Sequence, residues 1–130
     1  MELLVPASVG ELIDKITILE IKSENIEDPA KLSNVKKELS SLMAVVTDLQ
    51  LGYPVGSLAS LGRELSMVNR QLWSIEDDIR DCERRSCFDQ TFVDLARSVY
   101  RRNDERARLK KMINLQTGSV LVEEKSYASY

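Results

Sequence analysis

Asn103, Arg106 and Lys110 stand three and four residues apart in "VYRRNDERARLKK", residues 99–111. An amide and two cations at that spacing share one helical face. They fall in the same arc as Phe92, Leu95, Val99 and Ile113, which mark the inner, apolar side of the segment. Arg97, Arg101 and Arg108 fall on the opposite side. Cations on an inner face need carboxylates or a ligand, because an unpaired buried charge is expensive. Two cations beside an amide suit a phosphate or carboxylate guest.

Two other segments bring polar groups toward their apolar faces. In "VGELIDKITILEIKSEN", Val9, Ile13 and Ile16 set the inner face, and Glu20 falls in its centre beside Ser23. Further on, Asn69, Trp73, Glu76 and Arg80 step by 4, 3 and 4 beside an apolar seam. Two chemistries follow. In one, Glu20 and Glu76 neutralise Arg106, Lys110 and Arg80 in an internal network that binds nothing. In the other, the groups line a pocket between helices and hold an anionic, nucleotide-like small molecule. Arg106 and Lys110 then hold the anion, Asn103 donates to it, Arg80 adds a second clamp, and Lys125 and Tyr127 close over it from the tail. The second reading is favoured, since two cations and an amide exceed what one carboxylate requires.

The elements that must place these groups are helices. Ser8 and Glu11 form a capping box ahead of a helix over about 8–25. Asp28-Pro29 opens a second, with Asp as cap and Pro in the first turn. Leu32, Val35, Leu39, Leu42, Val46 and Leu49 give it a heptad seam. "LGYPVGS" breaks the pattern, and Ser57 is placed to cap a third helix. That helix carries Leu58, Leu61, Leu65, Val68, Leu72, Ile75, Ile79 and Cys82 in one seam, on the order of 36 Å long. Asp89 caps a fourth helix, about 90–116, ending before Gly118. The expected fold is all-α: one domain over 1–130, an antiparallel four-helix bundle built on a long central hairpin of the two seams. A short β-ribbon is expected between residues 2–5 and the tail around Val120 and Val122. The overhang of the third seam, with Trp73, points to a homo-oligomer.

Composition narrows the function. The net charge is −3 and the charged fraction 30%. A basic stretch in an acidic chain does not suit a nucleic-acid polymer. There is no histidine, which removes the commonest general base and zinc ligand. Cys82 and Cys87 lack metal-ligand spacing, so a buried filler and a free loop thiol are expected. Glu11 and Asp14 have carboxylate-pair spacing, as in helical Mg²⁺-dependent nucleotide pyrophosphohydrolases. On the wheel, however, Asp14 turns away from the core, and Asp77, Asp78 and Asp81 read as solvated. No metal and no cofactor is expected. No apolar stretch approaches the roughly 20 residues of a membrane span, and "MELLVPASVGEL" lacks a signal peptide's basic start. The expected setting is a reducing cytoplasm, with no membrane partner.

The blocks "VGELIDKITILEIKSE", "LWSIEDDIR", "FVDLARSVYRRND" and "VEEKSY" resemble a small family of bacterial and phage proteins whose function is uncharacterised. The resemblance spans nearly the whole chain and implies no activity. A phage-type sponge for nucleotide signals is an analogy of size and pocket charge alone. The alternatives to non-catalytic binding are an enzyme acting on a phosphorylated or nucleotide substrate, with Glu20 or Glu76 as base or metal ligand, and a structural or partner-binding helical module.

Overall fold

The computed structural model describes residues 1–130 and contains four helices and no strand. They are α1 (Val9–Asn25), α2 (Pro29–Asp48), α3 (Ala59–Arg84) and α4 (Gln90–Thr117). Three of the starts use side-chain caps. Ser8 accepts from the Glu11 N–H, Asp28 from Lys31, and Asp89 from Phe92. The start of α3 differs from expectation: Leu58 occupies the cap position, with no side-chain cap bond, and Ser57 lies one residue outside. Gly118 ends α4 in the left-handed conformation at φ 64°, which glycine adopts without strain.

α1 is the central element. It packs against each of the other three helices, α3 and α4 pack against each other, and α2 lies against α1 alone. The long hairpin expected between α2 and α3 is therefore not the organising pair. The physical reason is that a heptad seam specifies an apolar stripe but not its partner. The stripe of α2 is thin: Val35 and Val46 are buried, while Leu32, Leu39 and Leu42 are half-buried and Leu49 is exposed. The core is instead built from Ile13 and Ile16 of α1, Val46, Leu58, the α3 residues Leu61, Leu65 and Val68, and Leu109 and Ile113 of α4.

Beyond that core the long helices continue alone. α3 and α4 have 26 and 28 residues against 17 in α1. Past Val68, only Asn69 and Cys82 of α3 are buried, and Leu72, Trp73, Ile75 and Ile79 are half-covered, as are Phe92, Leu95 and Val99 of α4.

The expected β-ribbon does not form. Residues 1–8 and 119–130 are irregular. Leu3, Leu4, Val5 and Val120 are exposed, so nothing covers the apolar residues of either segment, and a lone two-stranded ribbon has little to hold it. No helix is long and apolar enough to cross a membrane.

Candidate functional site

The site is built where α1 crosses α4. Gly10 makes the crossing close. A Cβ there would overlap the Lys110 carbonyl and come within 2.9 Å of Asn114 Oδ1. The Gly10 N–H donates to that same Oδ1 at 2.6 Å. One turn on, Asp14 sits fully inside, with a side chain 1% exposed. Arg106 donates to it through Nε at 2.8 Å and Nη2 at 2.5 Å, a two-point guanidinium–carboxylate pair. Asn69 Nδ2 donates to both Asp14 Oδ1 and Thr17 Oγ1, each at 2.9 Å. Three helices thus meet at one carboxylate. The bonds from Asp14 hold the Arg106 guanidinium above even its ordinary pKa.

Lys110 forms the second polar node. Its side chain is only 8% exposed, and its ammonium lies 2.7 Å from Glu11 Oε2 and 2.7 Å from Glu123 Oε2. Burial pulls its pKa down, but bonds to Glu11 and then Glu123 outweigh burial and leave it raised. One carboxylate comes from α1 and the other from the tail.

The tail then runs beside α4. Lys111 pairs with Glu124 at 3.3 Å, and Lys125 with Asp104 at 2.7 Å. The Lys125 ammonium lies 5.5 Å from the centre of the Tyr127 ring. Tyr130 packs edge-on to Tyr100 at 5.0 Å. Between α4 and the tail lies an open groove of about 1230 Å³. Its walls include Asn103, Arg106, Lys110, Lys125 and Tyr127, five of the eight residues singled out from the sequence. Arg108 and Lys111 add cations, Asp104, Glu123 and Glu124 oppose them, and Tyr100 and Tyr130 add rings. All five cations of its walls are paired: Arg106 with Asp14, Arg108 with Glu105, Lys110 with Glu11 and Glu123, Lys111 with Glu124 and Lys125 with Asp104.

The other three residues lie elsewhere. Glu20 accepts from the Tyr53 hydroxyl at 3.2 Å. Burial pushes its carboxyl up, partly offset by that bond, while burial and the neighbouring Glu20 push Tyr53 to about 12. Tyr53 is held against Gly62, where a Cβ would strike its ring. Glu76 and Arg80 pair with each other at 3.8 Å on the exposed surface of α3. Glu20 and Glu76 therefore do not neutralise Arg106 and Lys110.

That role belongs to Asp14, Glu11 and Glu123, and the outward placing of Asp14 is corrected. The single inner face drawn for α1 was too narrow, because α1 touches three neighbours. A second stripe, Gly10, Asp14, Thr17 and Ile21, steps by 4, 3 and 4, and all four residues are buried. Two small residues flanking an acid at helical spacing were the available signal. Glu11 and Asp14 answer different cations, and no group of three or more acidic or cysteine side chains converges anywhere. Cys82 is buried and free, and Cys87 is free in the turn before α4. No curated protein and no solved structure matches the chain. The description "Family of unknown function (DUF6165)" matches residues 3–130, almost the entire length, and the chain belongs to that family.

Proposed function

We propose that this protein binds an anionic small molecule, nucleotide-like in combining negative charge with a ring, in the groove between α4 and the tail, without transforming it. The observation that carries this reading is the convergence of Asn103, Arg106, Lys110, Lys125 and Tyr127 on that one groove. Tyrosine rings offer stacking surfaces, and cations in a concave site favour phosphate. The helices serve as an antiparallel scaffold. In support, Gln116 at the end of α4 donates to the Ser57 carbonyl before α3, and Arg102 donates to Gln71 further along, as expected for α3 and α4 running in opposite directions. The setting is a reducing cytoplasm, in keeping with two free thiols.

A thermal-shift panel of nucleotides, cyclic dinucleotides, sugar phosphates and inorganic phosphate tests the reading. At least one anion is expected to raise the melting temperature of the wild type through its preference for the native state. Lys125→Ala, at an exposed groove position, is expected to lose that gain without changing the melting temperature of the free protein. No stabilisation by any anion would sink the proposal.

A second reading has its own observation. The Asp14–Arg106–Asn69 cluster is satisfied within the protein, so part of the polar set is framework for a structural or partner-binding module.

We also propose a homo-oligomer that covers the outlying part of the α3–α4 pair. Half-covered Leu72, Trp73, Ile75 and Ile79 support it. Sedimentation at micromolar concentration is expected to show a dimer or larger assembly, and Trp73→Ala with Ile79→Ser to shift it toward monomer. A wild-type monomer would refute it.

A further inference from the structure

The tail is held to the groove almost entirely by charge. Val120, Leu121, Val122 and Tyr127 are exposed, so little apolar surface anchors residues 119–130. What fastens the segment is Glu123 on Lys110, Glu124 on Lys111, and Asp104 on Lys125, with the Tyr100–Tyr130 contact at its end. The outer members of these pairs are open to solvent, where ion pairs are weak and fall off with salt. Lys110 is the exception, being enclosed. Its ammonium has one partner in Glu11, on α1, and a second in Glu123, on the tail.

We propose that Glu123 and Glu124 stand in for the ligand: their carboxylates fill the anion seats at Lys110 and Lys111, and a diphosphate takes those seats by displacing the two carboxylates, while Lys125 and Tyr127 stay on the groove. This rests on the reading of the groove given above and names both the ligand class and its control. Two successive carboxylates meeting two successive lysines present a paired-anion site, which a diphosphate matches and a single phosphate only half fills. The tail acts as an internal competitor. The observed affinity is then the intrinsic affinity reduced by the fraction of protein with Glu123 and Glu124 off the lysines.

The test uses inorganic pyrophosphate and the full chain. Calorimetric titration compares the wild type with Glu123→Gln/Glu124→Gln. A Glu27→Gln/Glu83→Gln control changes the net charge equally at positions outside the groove. Backbone ¹⁵N relaxation of residues 119–130 is followed in parallel. Expected results are at least ten-fold tighter pyrophosphate binding by the tail variant, no such gain in the control, and greater mobility at Glu123 and Glu124 of the wild type when pyrophosphate is added. Equal affinity of wild type and tail variant, with an unchanged tail, would overturn the competition while leaving anion binding intact. If the tail variant binds no pyrophosphate, the ligand assignment falls, and the competition with it.

Discussion

Arg106→Met is expected to destabilise the fold by about 3 kcal/mol, because it removes the two-point partner of a carboxylate that has no access to water. Asp14 keeps only Asn69 after the change, and a neutral amide does not repay the desolvation of a charge. Arg106 itself is 29% exposed, so the reverse change, Asp14→Leu, strands a group that water can partly reach and costs less. Asp14→Leu with Arg106→Met removes both charges and is expected to recover most of the loss. Asn69 would retain Thr17 as an acceptor. Urea unfolding of the three variants measures the coupling. A loss of under about 1 kcal/mol for Arg106→Met would mean that the pair is hydrated in solution and that α1 does not close on α4 as described.

Leu65→Ala should cost about 3–4 kcal/mol, and Leu39→Ala only about 1–2 kcal/mol. Both residues occupy central positions of an unbroken heptad seam. Leu65 is fully enclosed in the core, whereas Leu39 is half-buried at its margin. The difference measures the consequence of α2 packing on α1 rather than along α3. Equal losses at the two positions, in the same urea experiment, would restore the α2–α3 hairpin as the core of the bundle.

Helices were legible because the information that makes them is local. Ser8, Asp28 and Asp89 each satisfy a backbone N–H group three residues on, and Gly118 supplies a backbone conformation at its own position. The 3–4 spacing of apolar residues sets the period without reference to any partner. The same reasoning placed Asn103, Arg106 and Lys110 together, since residues three and four apart on a helix share a face wherever that helix goes. Lys125 and Tyr127 were assigned to the same site from the tail, and they line the same groove.

Which carboxylate meets which cation was a matter of long-range placement. Asp14 and Arg106 are 92 residues apart, and Gly10 and Asn114 are 104. Glu20 and Asp14 carry the same group on the same helix. Only the seating of α1 across three neighbours, allowed by the missing side chain at Gly10, turns Asp14 inward to Arg106 and leaves Glu20 to Tyr53. The tail's course was likewise undetermined, because ion pairs between flexible side chains have no periodicity to announce them. By itself the sequence determined four helices, the side-chain caps of α1, α2 and α4, and a cationic face on α4, since these depend on interactions within one or two turns. The partners of those cations and the groove beside them were decided by the tertiary structure, because charges pair with whatever packing brings within about 3 Å, whatever their separation along the chain.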